Sequence, residues 1–496
     1  MLREIDPKVE NTREALQSFG ERLDRRTKGA WVRDTLARLL RDVGYIDSIV
    51  LIDAVRIAGQ IEAIQESYGR RVIHIHLTAP VKELARRYRD RPKSELKELP
   101  SYRQVRANPT EAKIDSLASI ADVVIDSQRC TEADVVVRAA SHIGMYGKER
   151  QRLVDVMVGG QYGSEGKGQI AAYLAPEYDV LVRVGGPNAG HTVYRKPKPY
   201  TFHLLPSGTF ASNARLVIGP GAVLRVDDLM KEVAECEVEY ERLSIDPQAM
   251  TICDEDRTTE VDGVVKSISS TGRGVGEATA RKIRGRGLGN VILARDVPEL
   301  KPYIQETARV LEGAFSAGHR VFLEGTQGTG LSIHHGNYPF VTSRDTSVAG
   351  CLAEAGISPS RVRKVIVVCR TYPIRVEGNS GPMSQEITWE EVAKRSEISI
   401  EELEATEVTS TTQRRRRVGE FDWKLLWESV SLNAPTDVAL TFIDYLTVKN
   451  RDARRFEQLS EESIRFLEEV ERVSQAPVSL ISTRFHSRAI IDRRTW

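Results

Sequence analysis

The sequence predicts an α/β protein with a central, mostly parallel sheet, preceded by a smaller α/β domain. Three observations predict it. Apolar runs of strand length, such as "VDVMVGG" (154–160) and "KVIVVC" (364–369), are continuous rather than alternating, as in strands covered on both faces. These runs alternate with helical stretches, which is the pattern of βαβ units. Finally, 496 residues with 41% hydrophobic content are too many for one ordinary domain and enough for sizeable cores.

The elements divide near residue 150, where "SHIGMYGKERQRLVDVMVGG" passes from a helix through Gly and charge into a new strand. In residues 1–150, "SIVLIDAVR" (48–56) reads as a buried strand ending in an acid. "RVIHIHLTAP" (71–80) reads as a second strand, "VKELARRYRDRP" (81–92) as a basic helix, and "ADVVIDSQ" (121–128) as a third strand. This succession resembles the later part of a P-loop nucleoside monophosphate kinase. The likeness is carried by the strand-end Asp53, by Arg86, Arg87, Arg89 and Arg91 of the lid-like helix, and by the "ADVVID" strand. No G-x-x-x-x-G-K-[ST] loop occurs in residues 1–150, so a degenerate kinase-like domain serving packing, dimerisation or regulation is expected. Its basic helix reads as a solvated face.

In residues 151–496 the strands continue at "VFLEGTQGTG" (321–330), "KVIVVCRTYPIRV" (364–376), "DVALTFIDYL" (437–446) and "PVSLISTRF" (477–485). "TWEEVAKRSEISIEELEAT" (388–406) is a helical insertion with exposed charges.

Composition excludes several functions. Lys and Arg total 71 against 70 Asp and Glu, a net charge of +1, so no global field draws nucleic acid or an acidic membrane surface. No apolar run has the length of a membrane span, and the charged start lacks a signal-peptide core. The five cysteines (130, 236, 253, 351, 369) include no C-x-x-C pair, as expected of a cytoplasmic, reducing environment.

Chemistry concentrates in five stretches. "GGQYGSEGKGQIAAYLA" (159–175) is a Gly-rich turn between a strand and a helix start, a cradle for phosphate. It is not the Walker pattern, because Gly168 follows Lys167 where Ser or Thr would stand. "GGPNAGHTVY" (185–194) sets His191 among small residues, and "SSTGRGVG" (269–276) is a second Gly/Ser/Thr/Arg loop. "EGTQGTG" (324–330) with "YPFVTS" (338–343) puts polar groups at a strand end, and "TSTTQRRRRVG" (409–419) joins hydroxyls to four arginines. Singly, these read as turns, a structural histidine and a solvated charge run. Together they supply phosphate cradles, a titratable imidazole and guanidinium forks, which fit an enzyme joining a nucleotide to an acidic partner.

In this order, "GGQYGSEGKG", "NAGHT", "HLLPSG", "STGRGVG", "EGTQG", "YPFVTS", "TTQRRRRVG" and a closing "IIDRR" make residues 154–496 resemble the adenylosuccinate synthetase family along their whole length. The compact motifs are most similar to archaeal members and to phage-encoded relatives that use dGMP to make 2-aminoadenine precursors. The resemblance implies a P-loop-like synthetase fold and a magnesium-dependent reaction in two steps. A nucleoside triphosphate phosphorylates the purine 6-oxygen, and the amine of L-aspartate then displaces that phosphate. It also implies roles by motif. His191 is the general acid, with Gln327 reading the purine. Lys167 and the backbone from Gly163 through Glu165 and Gly166 to Gly168 cradle the donor phosphates, beside Gly190, His191 and Thr192. Asn188, Thr271 and Thr342 hold the acceptor nucleotide, and Thr411, Thr412, Arg414 and Arg416 hold the aspartate carboxylates, Arg414 also touching the nucleotide. Gly190 is a magnesium ligand, with Ser164 the second position. Family members are usually homodimers in which an arginine from the second subunit reaches the acceptor phosphate; Arg284 or Arg286 is the candidate.

The chain departs from the family pattern in two places. Ser164 stands where "GDEGKG" has an aspartate that ligates magnesium and takes the N1 proton; a hydroxyl does both poorly. It leaves room and a hydrogen-bond acceptor beside C2, so a 2-amino-6-oxopurine nucleotide, dGMP or GMP, is the favoured acceptor. The alternatives are IMP with GTP, as in ordinary members, and a catalytically silent nucleotide-binding scaffold. At the donor base, "TFID" (441–444) and "STRF" (482–485) replace the family's "TKLD" and "STGP". Asp444 and Ser482 remain, while Phe442 and Arg484 are changed, which leaves GTP or ATP as donor.

Overall fold

The computed structural model describes residues 5–43, 49–53, 55–91, 99–143, 151–289, 291–409 and 414–496. The chain forms two compact units, Met1–Glu149 and Arg150–Trp496.

In the first unit, helices Ala30–Val43 and Ala58–Tyr68 bury a small cluster around Val32, Leu36 and Ile64, and helix Arg13–Thr27 buries Leu23. Strands Ile75–Thr78 and Val123–Asp126 pair in parallel. Helix Val81–Asp90 buries no residue, and Arg86 and Arg87 both turn onto Glu83 at 2.7 Å, so this basic face is solvated as expected. The buried strand expected at 48–56 does not form: residues 49–53 are irregular and Leu51 is 88% exposed, while 48 and 54 lie outside the described residues. A parallel strand needs neighbours and a cover on both faces. Among the described residues this unit's sheet has only two strands.

The second unit is built on nine strands, numbered here in chain order: β1 Val154–Gly159, β2 Val180–Arg183, β3 Arg215–Ile218, β4 Leu243–Ile245, β5 Val321–Glu324, β6 Val362–Arg370, β7 Asp437–Thr441, β8 Val478–Ser482 and β9 Ile490–Asp492. They lie in the order β9-β8-β7-β6-β1-β5-β2-β3-β4. All pairs are parallel except β8–β9. Period-two packing explains the apolar runs. Val154, Val156 and Val158 of β1 enter the core on one face of the sheet, and Met157 enters the core on the other. Asp155, on the Met157 side, is buried, but Tyr178 donates to it at 2.6 Å and Arg363 forks onto it.

Three expected strands of this unit are shorter than read, one of them, 477–485, ending at Ser482. The 364–376 stretch breaks after Arg370, and Ile374–Val376 joins a separate antiparallel sheet with Arg416–Gly419. The 437–446 stretch ends at Thr441, because Phe442 turns left-handed (φ +57°) into the short helix Ile443–Tyr445. Pro373 explains the first break, since it has no N–H to continue a ladder.

Candidate active site

In an open parallel sheet, ligands bind at the carboxyl ends of the strands, where the strand order reverses. Here the chain runs outward from β1 to β4 on one side, returns to β5, and then builds β6 to β9 on the other. A cavity of about 880 Å³ opens at that edge, walled by the segments that follow β1, β2, β5, β6 and β7.

The turn after β1 is organised from within. Glu165 is buried, and its Oε1 accepts the backbone N–H groups of Gln161 at 3.1 Å and Gly163 at 2.8 Å; Lys167 pairs with its other oxygen. Glu165 therefore shapes the turn rather than presenting a charge to a ligand. Gly166 caps helix Lys167–Leu174 at φ +81°, a conformation that suits glycine, and leaves the first helical N–H groups at the cavity. Ser164 is exposed to the cavity at φ +56°, with its Oγ 3.5 Å from Arg416 Nη2.

His191 begins a short strand paired with Tyr200–Phe202 and lines the cavity. Cross-strand register puts Glu324, the last residue of β5, opposite Arg183, the last of β2. Glu324 Oε1 lies 2.5 Å from His191 Nδ1 and 3.0 Å from Arg183 Nη1, and its Oε2 accepts the Ser207 N–H at 2.8 Å. Burial pushes the Glu324 carboxyl up, but Arg183, the His191 bond and Ser207 overcome this and hold it at about 2. Burial, reinforced by Arg183, lowers His191 to about 4 against the opposing pull of Glu324. At neutral pH the pair is thus carboxylate and neutral imidazole. Nδ1–H is committed to Glu324, and Nε2 is left for a ligand.

The residues expected at the acceptor nucleotide converge. Gln327 Nε2 donates to Asn188 Oδ1 at 3.0 Å, Asn188 Nδ2 lies 3.5 Å from Thr342 Oγ1, and Thr271 lines the same wall. Thr326 Oγ1 donates to Gln327 Oε1 at 2.9 Å, which sets the amide's orientation. Gly190, Thr192 and Gly168 line the cavity too. Arg416 lines it, with Nη1 on Glu407 at 2.9 Å.

Other expected residues are placed differently. Arg414 Nη2 donates to the carbonyls of Ser269 (3.0 Å) and Ser270 (3.1 Å), so it pins the 269–271 loop and is not part of the cavity wall. Arg284 and Arg286, expected to serve a second subunit's site, are exposed at and just past the end of helix Val275–Arg284, away from this chain's own cavity wall; Arg284 reaches Glu277, and Arg286 donates to the Ile283 carbonyl at 2.9 Å. Ser482 is buried with its hydroxyl on the Arg484 carbonyl at 3.3 Å, while Arg484 and Asp444 line the cavity. Thr411 and Thr412 lie outside the described residues. Asp444 is buried, and its Oδ1 has no hydrogen-bond partner; burial, only partly offset by Arg451, raises it to about 7.

The sequence reading gave no role to Arg183, Glu324, Arg370, Glu407 or Tyr445. Arg370 is fully buried at the end of β6 and forks onto Glu407, which Tyr445 also bonds at 2.8 Å. A signal was available: "VLVR", "VFLE" and "VVCR" each close an apolar run with one charge, and a lone charge there must find a buried partner.

The adenylosuccinate synthetase family profile matches residues 156–297 and 292–451. The adenylosuccinate synthetase of Methanocaldococcus jannaschii is 36% identical over 347 residues, 68% of this chain and 96% of the relative. The chain belongs to the adenylosuccinate synthetase family. The adenylosuccinate synthetase of Methanosphaera stadtmanae is 37% identical over 351 residues, 68% of this chain and 97% of its own. Among solved structures, the succinoaminodeoxyadenylate synthetase of cyanophage S-2L, bound to dGMP and to dATP as an energy donor, superposes with a TM-score of 0.58 at 27% identity, covering 70% of this chain and 97% of that one. The fully ligated adenylosuccinate synthetase of Plasmodium falciparum gives 0.58 at 21% identity, covering 69% and 100%, a likeness of fold. Membership makes the chain a ligase that forms a C–N bond. No helix among the described residues is long and apolar enough to cross a membrane.

Proposed function

We propose that the chain joins L-aspartate to C6 of dGMP or GMP through a 6-phosphoryl intermediate, giving an N6-succino-2-aminopurine nucleotide. Ser164 carries this reading. The only carboxylate of its turn, Glu165, is engaged inside the turn, and the exposed Ser164 offers the cavity a small hydroxyl instead. A hydroxyl accepts a hydrogen bond from a purine 2-amino group and leaves it space. A carboxylate in its place would serve the N1 edge of IMP. The dGMP-bound phage relative supports this acceptor. The archaeal relatives, adenylosuccinate synthetases at 36–37% identity, favour the second reading, IMP as acceptor.

In the first step, O6 bonds to the γ-phosphorus as the bond to the nucleoside diphosphate breaks, and the purine N1 proton passes to a water or to the nucleotide's own phosphate, since Ser164 has no basicity to take it. In the second, the aspartate amine bonds to C6 as the phosphate leaves and the amine gives up a proton. His191 acts through Nε2, which is unprotonated in the empty site; once the charge of the bound triphosphate has drawn a proton onto it, it donates to the oxygen that gains charge, while Glu324 holds Nδ1–H and steadies the imidazolium. Within the Gly163–Gly168 turn the N–H groups after Gly163, whose own is engaged by Glu165, and Lys167 hold the donor phosphates. Arg416 grips an aspartate carboxylate, with Thr411 and Thr412 assigned beside it, and Asn188, Thr271, Gln327 and Thr342 hold the acceptor.

Among the described residues no cluster of three His, Cys, Asp or Glu side chains can hold a metal. The wall fits Mg²⁺, which takes few protein ligands and several from substrate phosphates and water. Ser164 Oγ and the Gly190 carbonyl would hold it, and it would neutralise charge on the transferred phosphoryl group. For the donor base, Asp444 supports GTP, whose N1–H and N2–H suit a carboxylate. Phe442 and Arg484 are the features that admit ATP. A homodimer supplying Arg284 or Arg286 across its interface completes the acceptor phosphate site. The first unit, without a phosphate-binding loop in its sequence, is assigned packing, dimerisation or regulation rather than phosphoryl transfer.

The test offers IMP, GMP and dGMP with aspartate, magnesium and either ATP or GTP, and detects the succino-nucleotide by mass. Product from dGMP or GMP is expected, and Ser164→Asp should shift preference toward IMP. Product from IMP alone, or better use of dGMP by Ser164→Asp, overturns the assignment. Nucleotide binding with no product in any mixture supports a scaffold.

A further inference from the structure

Between the donor-base end and the aspartate end of the cavity runs a continuous buried chain of contacts. The Arg370 guanidinium lies 4.0 Å from the centroid of the Phe442 ring, a stacked cation–π contact. Its edge forks onto Glu407, with Nη2 2.7 Å from Oε1 and Nη1 3.4 Å from Oε2. Nη1 is also 3.4 Å from the Ser164 carbonyl. Glu407 Oε2 accepts Arg416 Nη1 at 2.9 Å, and the far nitrogen of Arg416 faces Ser164 Oγ at 3.5 Å. Phe442, Glu407, Arg416 and Ser164 all line the cavity; Arg370 does not. One guanidinium behind the wall thus touches the donor-base wall, the turn after β1 and the anchor of the arginine loop.

One detail separates this network from a passive ion pair. Phe442 is held left-handed, a conformation that a bulky residue rarely keeps without a local reason, and its carbonyl is tied to the Thr371 hydroxyl at 2.7 Å. The ring and the guanidinium are therefore placed so that a base seated against the open face of Phe442 changes what Arg370 packs against.

We propose that Arg370 is a positioning residue that couples occupancy of the donor-base end to aspartate affinity, acting through Glu407 on Arg416. This rests on the assignment above of Phe442 to the donor base and of Arg416 to aspartate. Donor binding fixes the Phe442 ring, the ring fixes the Arg370 plane, and that plane sets the Glu407 oxygens that aim Arg416. Aspartate then binds well only when a donor is present, which guards against idle occupancy of the aspartate site.

The experiment is calorimetric titration of L-aspartate into the full chain holding dGMP and Mg²⁺, with and without a saturating non-hydrolysable ATP or GTP analogue, whichever donor base the chain uses. Couplings between sites commonly amount to about 5- to 150-fold. Wild type is expected to bind aspartate at least fivefold more tightly with the analogue. Arg370→Met and Phe442→Leu should each reduce that factor below twofold, while Arg370→Lys, which keeps the charge on Glu407 but loses the planar stack, should fall between. A variant that only weakens folding would lower Tm and leave the factor intact. Phe442→Leu, which leaves the Arg370–Glu407 pair whole, stands in if Arg370→Met does not fold. Linkage preserved in a folded Arg370→Met, or absent from wild type, overturns the coupling. If aspartate fails to bind wild type at all, the site assignment itself fails, and the coupling with it.

Discussion

Replacing Glu324 by Gln tests the centre of the site most severely. Glu324 receives Arg183, His191 and the Ser207 hydroxyl on one oxygen and the Ser207 N–H on the other. An amide has one acceptor oxygen. Wherever its NH₂ points, a donor is turned against a donor, and Arg183 loses its buried counter-charge. Removing one partner of a buried pair costs roughly 3–5 kcal/mol. A unit of this size loses roughly 0.7 kcal/mol of stability per degree near its midpoint, so Tm should fall by about 4–7 °C. Activity should fall further than stability, because the amide NH₂ can hold His191 in the tautomer that leaves the wrong nitrogen for substrate. Loss of tautomer control by the equivalent acid-to-amide change in a serine-protease triad costs about 10⁴ in kcat, and general acid catalysis typically contributes about 10²–10⁴. The assay is calorimetry alongside succino-nucleotide formation well below the lowered Tm. A kcat within threefold of wild type with the expected Tm loss would show that Glu324 is structural and His191 needs no orientation. Loss of neither would refute the carboxylate–imidazole–guanidinium reading altogether.

Other outcomes follow from the same geometry. A Cβ at Gly328 would meet Glu165 Oε1 at 2.4 Å and the Gln161 carbonyl at 2.5 Å; Gly328→Ala should cost at least about 1–3 kcal/mol and raise KM for the donor triphosphate, read by urea melts and initial rates. Acid stability is set by groups of opposite sign. His191 and His203, both lowered to about 4, lose stability as pH falls from 6.5, whereas Asp444, raised to about 7, gains stability over the range down to its ordinary 3.8 and offsets part of that loss. Glu324 and Glu407, both held at about 2 against 4.5, supply stability that is lost only below about pH 4.5, so Tm should decline gently from pH 6.5 to 4.5 and then drop steeply. Glu324→Gln should soften that drop. Deleting residues 1–150 should leave kcat within about twofold, since the nine-stranded sheet and both of its cores belong to the second unit. A tenfold loss would assign the first unit a part in catalysis.

The sheet was legible because burial on both faces leaves a composition trace: β1, β5, β6, β7 and β8 each show as an apolar run. The strand ends were less legible. Arg370 and Thr371 continue the pattern of "KVIVVCRTYPIRV", and only Pro373 hints that the chain leaves the sheet there; at Phe442 the break is a backbone sign change with no compositional mark. The Gly-rich turn, His191 and Arg416 were readable as parts of the cavity wall because they stand in short local patterns of particular residue types. What stayed hidden is non-local. Glu324 serves His191 across 133 positions, and Arg370 reaches Ser164 across 206. Neither separation leaves a period or a motif. The same argument limits what Glu165 and Arg414 showed in sequence: a charge in a binding motif reads as a ligand contact, yet one shapes its own turn and the other pins a neighbouring loop. In a site built from strand ends, the residues that line the cavity are named by local pattern, and those that hold them are named only by register. The lone charges that end "VLVR", "VFLE" and "VVCR" are where the two kinds of information meet, because a parallel sheet brings such ends to one edge whatever their distance along the chain.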